Sequence, residues 1–296
     1  MSADPIGAVT RELLVRQLDA WTPAALHRAR RATFVPAGAD EATVRAALGV
    51  FAEFADLLRG RQLAVVLLDP DAPRLATRLG AAQVGVYGVP GTAESLPVAL
   101  KAASSAGAPV LAYVDARRGP APTPTALAAV TVGRPGEVLL VLGAAAREEF
   151  DPRHALAEAG YPLVADVELV ADSEIALVVF ATRSGKSLDA FKNAMWAVDE
   201  YAGVRYRDPR DPDGHLLDVS LNPHPGPLRR ELLARLAAVG PSTVTELRQF
   251  TATDTVYRPS DTTRVLTALL ETGVITRDPE HGRLGGDVLI RPAPER

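Results

Sequence analysis

Four residues suited to binding a nucleotide cofactor or to acid–base chemistry stand at or just after short apolar runs. Gly38 follows "ATFV", Asp69 ends "QLAVVLLD", Gly88 ends "QVGVYG" and Asp115 ends "PVLAYVD". In a parallel α/β sheet, ligands bind beyond the carboxyl ends of the strands, where glycine permits close approach and an acid can accept hydrogen bonds from ribose hydroxyls. We therefore predict that Gly38, Asp69 and Gly88 belong to a cofactor site and that Asp115 is a catalytic residue beside it.

Two of these residues also have a purely structural interpretation. Asp69 can cap the helix that starts in "DAPRL", with Asp71 sharing the task, and this role is as well supported as ligand binding. Gly38 is a single glycine where two or three are typical of a loop that holds a phosphate or carboxylate. Because Asp40 can itself satisfy the first amides of the next helix, an ordinary strand-to-helix turn is the favoured interpretation of Gly38.

Four arginines are candidates for contacts with nucleic acid or with a partner. Arg117 and Arg118 follow Asp115 in a loop flanked by glycine and proline; such a pair can hold phosphate or carboxylate, although solvated surface charge is commoner. Arg258 and Arg264 stand near the start of a C-terminal helix, where DNA-binding helices contact bases and phosphates. Basic and acidic residues are nearly balanced in this part, so protein docking is at least as well supported as DNA binding.

Composition excludes several classes of site. The chain has 296 residues, of which 47% are hydrophobic and 23% charged, with a net charge of -4, as expected of a globular protein without a strongly basic surface. It has no cysteine, which excludes disulfides, iron–sulfur clusters and thiolate zinc sites. Its five histidines show no metal-ligand spacing, so we predict no metal. Without a long apolar run or a signal peptide, we expect a cytoplasmic protein with no membrane partner.

The candidate residues must be positioned by an alternation of strands and helices. Continuous β-branched and leucine-rich runs alternate with short helical patterns over about six strands, which predicts a doubly wound, mostly parallel α/β sheet. Only "ADS" separates the last two runs, 163–170 and 174–181, so these must form an antiparallel hairpin. Seven strands with a terminal hairpin are the outline of a Rossmann-like, class I methyltransferase-like sheet. The alternative is an ordinary nucleotide-binding sheet with an added hairpin.

The chain divides into two predicted domains. Residues 1–205 form the Rossmann-like domain, with helices over 1–30 that include a second helix starting at Pro23 after an N-cap at Thr22. Residues 206–227 are rich in Pro, Asp and Gly and are predicted to be a linker. Three helical patterns and two short strands over 228–296 predict a winged-helix domain.

Several stretches together match a known pattern along nearly the whole chain. They are the opening helix, the first two strands, the region of the fourth strand, the fifth strand, and the last strand with the helix after it: "LLVRQLDAWTPAAL", "TFVPAGAD", "VVLLDPD", "VLAYVDARRG", "EVLLVL" and "IALVVFATRSGKSLDAFKNAMWAVD". These resemble the three-Cys-motif partner (TcmP) family, methyltransferase-like bacterial proteins. The resemblance implies a class I methyltransferase-like fold, a winged-helix tail, and S-adenosylmethionine as the cofactor. It carries Gly38, Asp69 and Asp115 over as site positions.

The chain departs from this family at the residues that bind the cofactor. Val35 and Pro36 lie where the family has an acid, and only Gly38 remains of its glycine loop. The family's Asp-Pro-Phe-Gly motif has become Asp115-Ala116-Arg117-Arg118-Gly119. We therefore predict a methyltransferase fold with a degenerate cofactor loop, in which S-adenosylmethionine binding is weak or lost. Such a protein would act as an accessory or regulatory binder of a protein partner through its winged helix.

Two other functions stay open at the level of sequence. The first is an active S-adenosylmethionine-dependent methyltransferase that acts on nucleic acid, with Asp115 nearest the transferred methyl group. The second is a transcription regulator whose Rossmann-like domain senses a small ligand. Whether the protein is an enzyme depends on which of the three functions holds.

Overall fold

The computed structural model describes residues 4–80, 84–148, 150–172, 174–198 and 203–293. The helices are α1 (Pro5–Arg28), α2 (Glu41–Glu53), α3 (Ala55–Leu58), α4 (Ala72–Leu79), α5 (Leu96–Ala102), α6 (Pro124–Ala129), α7 (Ala144–Glu148), α8 (Pro152–Glu158), α9 (Gly185–Ala197), α10 (Gly226–Val239), α11 (Val244–Asp254) and α12 (Pro259–Glu271). The strands are β1 (Arg31–Ala37), β2 (Gln62–Leu68), β3 (Gly85–Val89), β4 (Val110–Ala116), β5 (Gly136–Gly143), β6 (Leu163–Ala171), β7 (Glu174–Thr182), β8 (Arg205–Arg207), β9 (Leu216–Leu217), β10 (Ser242–Thr243), β11 (Ile275–Asp278) and β12 (Leu289–Pro292).

The main sheet has the strand order β3-β2-β1-β4-β5-β7-β6-β8-β9. β1 to β5 are parallel to one another, whereas β7 is inserted between β5 and β6 and is antiparallel to both. The predicted hairpin is confirmed, because β6 and β7 pair along their whole length from Leu163↔Thr182 to Ala171↔Glu174. The protein is therefore an α/β protein built on a large mixed sheet.

Two details of the predicted sheet were wrong. In the described residues the main sheet has nine strands rather than seven, and it is mixed rather than mostly parallel. Both differences arise at one edge, where β8 and β9, from the stretch predicted to be a linker, add antiparallel beyond β6. The chain reaches β8 through α9, which carries it from β7 across β6, and β9 then needs only a short loop because it is antiparallel to β8.

The N-terminal helix also differs from its prediction. α1 runs unbroken from Pro5 to Arg28 with Pro23 inside it, instead of restarting there. Thr22 does not act as an N-cap, because its Oγ1 donates a hydrogen bond of 2.6 Å to the carbonyl oxygen of Leu18 one turn earlier. A buried apolar face that includes Leu14, Leu18 and Trp21 holds this helix against the sheet and outweighs the preference of proline for a helix start.

The C-terminal unit consists of α10, α11 and α12 with a small antiparallel sheet of order β10-β12-β11. The turn between α11 and α12 docks on α9 of the first unit. There Trp196 Nε1 donates to the carbonyl oxygen of Val256 at 3.0 Å, and the buried Lys192 Nζ donates to that of Thr255. The Trp196 and Tyr257 rings stack with 5.8 Å between centroids, so the two units share one hydrophobic core.

None of the helices in the part of the chain that the structure describes combines the length and the apolar character that a membrane span requires.

Candidate functional site

A cleft of about 360 Å³ lies at the carboxyl ends of β1, β2 and β4. Four of the predicted site residues line it together: Gly38, Asp69, Asp115 and Arg118. The opposite wall includes Glu94, whose two carboxylate oxygens already accept hydrogen bonds from the amide and the hydroxyl of Thr123. The sheet therefore brings the candidates to one place, at the edge where α/β sheets bind ligands.

Gly38 is required by its backbone position. Its φ is +68°, a left-handed conformation, and a Cβ atom there would lie 2.5 Å from the carbonyl oxygen of Asp115. Its N–H already donates to the carbonyl oxygen of Leu68 at 2.9 Å. This hydrogen bond joins the ends of β1 and β2, so the amide of Gly38 is not free to bind a ligand.

The N-terminus of α2, the second place where an anion could bind, is occupied by Asp40. Its carboxylate accepts from the Thr43 amide at 2.7 Å and from the Arg11 guanidinium at 3.3 Å. Although burial raises the pKa of Asp40, the hydrogen bonds from Thr43 and the charge of Arg11 hold that pKa below its ordinary value. The chain therefore supplies its own anion where a phosphate or carboxylate would bind.

Asp69 keeps one carboxylate oxygen for a ligand. Oδ1 accepts from the backbone amide of Asp71 at 2.8 Å, in the turn that leads into α4. Asp71 is the N-cap residue of α4, although its side chain makes no capping hydrogen bond. Among the described residues, no hydrogen bond uses Oδ2 of Asp69, and the half-buried side chain lines the cleft. Asp69 thus orders the turn and still has an acceptor for a hydroxyl group.

Asp115 is bound by the arginine two residues after it. Arg117 donates from Nε and Nη2 to the Asp115 carboxylate, at 2.9 Å for the shortest contact, and from Nη1 to both oxygens of Asp4 at 3.0 and 3.1 Å. The side chains of Arg117 and Asp115 are only 11% and 10% exposed. Burial lowers the pKa of Arg117, but the two acids outweigh this effect and raise it overall. A carboxylate held in this way is neutralised by its partner.

The remaining candidates of the first unit lie outside the cleft interior or at its mouth. Gly88 lies on β3 away from the cleft, and a Cβ there would meet the carbonyl oxygen of Ala72 at 2.3 Å, so this glycine lets α4 pack on the sheet. The side chain of Arg118 is 90% exposed, with Asp4 4.0 Å away. Arg118 is the candidate that remains accessible to an anionic group.

The two candidate arginines of the C-terminal unit are bound at the start of α12. Arg258 pairs with Asp261 at 2.9 Å and donates to the carbonyl oxygen of Leu221, while Arg264 donates to Asp261 at 3.2 Å and to the carbonyl oxygen of Pro223. These carbonyls belong to the segment before α10, which lies across the first turn of α12.

Three acceptors and donors that shape these sites were not singled out from the sequence. Asp4 caps α1 by accepting from the Gly7 amide at 2.6 Å, and an acid before a proline is a signal that could have identified it as a cap. Its pairing with Arg117, far along the chain, has no local signal. The same holds for the contact of the buried Lys192 with Thr255, whereas Asp261 lies three residues from both Arg258 and Arg264, a spacing that could have indicated its ion pairs.

One cluster with metal-ligand groups is present although no metal was predicted. Asp211, Asp213 and His215 each place one ligand atom within 4.8 Å of the others. His215 Nδ1 lies 2.8 Å from Asp211 Oδ2, which also accepts from the His215 amide. These contacts make the cluster an ordered polar turn on the surface.

Comparison with known proteins gives no family for this chain. No family model and no curated protein matches it. Among solved structures, it is similar to the fibrillarin pre-rRNA processing protein of Methanococcus jannaschii, with 15% identity over 52% of this chain and 68% of that one and a TM-score of 0.31. It is also similar to EvdMO1, with 18% identity over 64% of this chain and 47% of that one and a TM-score of 0.36. Both likenesses are too distant to assign an activity.

Proposed function

We propose that this protein is a TcmP-like binding protein: a methyltransferase fold whose cofactor loop no longer supports catalysis, joined to a winged helix that docks on another protein. The observation that carries this proposal is the state of Asp115, whose carboxylate is paired with Arg117 and through it with Asp4. A group bound in this way at the proposed catalytic position cannot take a proton or orient a substrate without breaking a buried ion pair.

The fit of S-adenosylmethionine to the cleft supports the same conclusion. The Oδ2 atom of Asp69 is placed to accept from a ribose hydroxyl, which suits the nucleoside end of the molecule. The carboxylate end has no free donor at the two expected places, because the amide of Gly38 donates to the carbonyl oxygen of Leu68 and Asp40 caps the start of α2. The residues present therefore suit half of the cofactor, and binding should be weak.

The order of elements in the C-terminal unit supports a winged helix, with α12 as its third helix and β11 and β12 flanking the wing. The contacts of Arg258 and Arg264 with Asp261 and with two carbonyl oxygens speak against DNA binding by the first turn of α12. Docking of a protein on the exposed remainder of α12 and on the wing fits the nearly neutral charge of this unit better than nucleic acid does.

Calorimetric titration with S-adenosylmethionine and with its demethylated product tests the first half of the proposal. We expect a dissociation constant weaker than ~100 μM, which is less than about 5.5 kcal/mol of binding free energy. Asp69→Ala should remove the remaining affinity, while Asp71→Ala is the matched control. Low-micromolar binding that Asp69→Ala abolishes would instead favour an active methyltransferase.

A gel-shift series from low to physiological salt tests the second half. We expect weak duplex DNA binding that is the same for wild type and for Arg258→Ala/Arg264→Ala, because these side chains are already bonded within the protein. Tight binding that persists at physiological salt and disappears in the double variant would make the protein a DNA-binding regulator.

A further inference from the structure

A second pocket of about 360 Å³ lies at the amino end of β5, whereas the cleft lies at the carboxyl ends of the strands. It is enclosed by α1, by the start of β5 and by the start of α9, and we name it the β5 pocket. Along the sheet, Glu137 at its floor is about 13 Å from the level of Asp115, because Asp115 pairs with Val141, four residues further along β5. Its lining includes Trp21, Arg28, Pro135, Glu137, Ser184 and Lys186.

The floor of the β5 pocket carries an acid with an unused oxygen. Glu137 is 1% exposed, and its Oε1 accepts from the hydroxyl of Thr182 at 2.7 Å. Its Oε2 is buried and makes no hydrogen bond of good geometry, although the Ser187 hydroxyl lies near enough to act on the carboxyl group. Burial raises the pKa of Glu137, and the hydroxyls of Ser187 and Thr182 and the charge of Arg28 offset this effect only in part. An unpartnered oxygen of this kind is costly unless something binds it.

Two further orphaned groups lie on the same side of α1. The described residues contain five buried side-chain atoms without a partner, and three of them belong to Gln17 (Oε1), Trp21 (Nε1) and Glu137 (Oε2). Trp21 and Glu137 line the pocket, whereas Gln17 lies behind the lining and donates from its Nε2 to the hydroxyl of Ser187, another lining residue, at 3.3 Å. One orphaned donor and one orphaned acceptor thus belong to residues that line the same space, as in a polar ligand site within an apolar wall.

The mouth of the pocket has the opposite charge from its floor. Arg28 and Lys186 are exposed there. α9, a helix of 13 residues capped by Ser184, also directs its N-terminus to this mouth. Cationic side chains and a helix N-terminus favour an anionic group at this end. Alanines of α1 and α9 supply apolar surface between the two ends.

We propose that the β5 pocket binds a small molecule that presents a nitrogen donor group to Glu137 and a carboxylate or phosphate to Arg28 and Lys186. The Trp21 indole N–H then donates to an acceptor atom of the same molecule. An ω-amino acid has this layout, because a methylene chain separates its ammonium at the floor from its carboxylate at the mouth. A nucleoside monophosphate shares the chemistry through an amino group on its base. The proposal does not depend on the function of the cleft.

The indole N–H signals of the full chain test this proposal directly. The chain contains two tryptophans, and Trp196 donates its indole N–H to Val256, far from the β5 pocket, so its signal is an internal control. We would add single ω-amino acids of increasing chain length, and separately AMP, CMP and GMP, to the ¹⁵N-labelled protein at millimolar concentration. We expect one of the two classes to move the Trp21 indole signal, assigned with Trp21→Phe, and to leave the Trp196 signal in place.

Two variants establish which groups bind the probe that shifts Trp21. Glu137→Gln keeps the shape of the floor but replaces an acceptor by a donor, and it should weaken binding by about tenfold or more. Arg28→Ala/Lys186→Ala, at exposed positions that should not affect folding, should weaken it by about tenfold as well. Lys101→Ala, on the remote helix α5, should leave the affinity unchanged.

Three outcomes would overturn the proposal. The first is a Trp21 signal that none of the probes moves. The second is a shift that persists with equal affinity in both Glu137→Gln and the double rim variant, since binding would then not use the floor or the mouth. The third is a long-lived water cross-peak to the Trp21 indole that all probes leave intact, because the orphaned groups would then hold only water.

Discussion

The ion pair of Arg117 with Asp115 can be broken from either side, and the two sides should differ in cost. Arg117→Met leaves the Asp115 carboxylate, 10% exposed, without its cation. Breaking a buried pair by removing one partner costs ~3–5 kcal/mol of unfolding free energy, and we expect ~3 kcal/mol because Asp4 at the other end is partly exposed. The single variant Asp115→Asn should cost less, ~2 kcal/mol, because Arg117 keeps its two hydrogen bonds to Asp4.

The double variant Arg117→Met/Asp115→Asn leaves no charge at Asp115, and the acid that still loses its cation is the partly exposed Asp4. The cost of this variant should therefore be ~3 kcal/mol rather than the ~5 kcal/mol obtained by adding the single variants, a coupling of ~2 kcal/mol. Arg118→Met is the matched control, since that side chain is 90% exposed and should change the stability by no more than ~0.5 kcal/mol.

Urea unfolding at neutral pH, followed by circular dichroism, measures all four variants. The slope of the free energy with urea should stay constant, so that the midpoint alone reports the change. If the costs of the single variants add to that of the double within ~0.5 kcal/mol, Arg117 and Asp115 do not act as a pair. Asp115 would then not be sequestered from catalysis by Arg117.

Three further outcomes can be measured in the same unfolding assay. Gly38→Ala should lower the free energy of unfolding by ~2 kcal/mol or more, because the added Cβ would clash with the carbonyl oxygen of Asp115. Gly60→Ala is the control: with φ +74° and open space around it, it should lose only the ~1 kcal/mol of backbone strain. Equal losses in the two variants would contradict the clash. Burial raises the pKa of Glu231 to about 7 from 4.5, so the folded state binds the extra proton and the free energy of unfolding should fall as pH rises across this window. Glu231→Gln should remove that fall, and a pH profile that the substitution leaves unchanged would contradict this assignment. Burial lowers the pKa of Lys192 from 10.5 to about 7, so unfolding takes up a proton and the free energy of unfolding should rise between these pH values. Lys192→Met should lack this rise, and a pH profile identical to that of the wild type would refute the assignment.

The sheet was predictable because its signals are local. The continuous apolar runs of β2, β4 and β5 identified buried parallel strands, and the three-residue gap between β6 and β7 required a hairpin. For 206–227 the sequence predicted a linker or loop with at most one short strand, so β8 and β9 were not both predicted. Strands of three and two residues carry no periodicity, and the pairing of β8 with β6 and of β9 with β8 is decided by tertiary structure.

The location of the cleft was predictable, but the state of its residues was not. Strand ends placed Gly38, Asp69 and Asp115 at one edge of the sheet, as expected for this topology. The pairing of Arg117 with Asp4 joins residues 113 positions apart, and no sequence spacing indicates such a contact. The periodicity of α12 likewise identified a helix, whereas the carbonyl partners of Arg258 and Arg264 lie in a loop whose course depends on the whole fold.

The segment between the two units also determines what a ligand spanning them would encounter. A flexible chain of the length of 206–227 would let its ends drift apart by roughly 25 Å on average, and the C-terminal helices could then swing to meet targets at many distances. Here β8 and β9 pair with the main sheet. Side chains of α12 and of the turn before it donate hydrogen bonds to the backbone carbonyl oxygens of Leu221, Pro223 and His224. The distance between a binding surface on one unit and a binding surface on the other is therefore fixed. A bivalent ligand gains avidity only when its own two contact points are separated by that same distance.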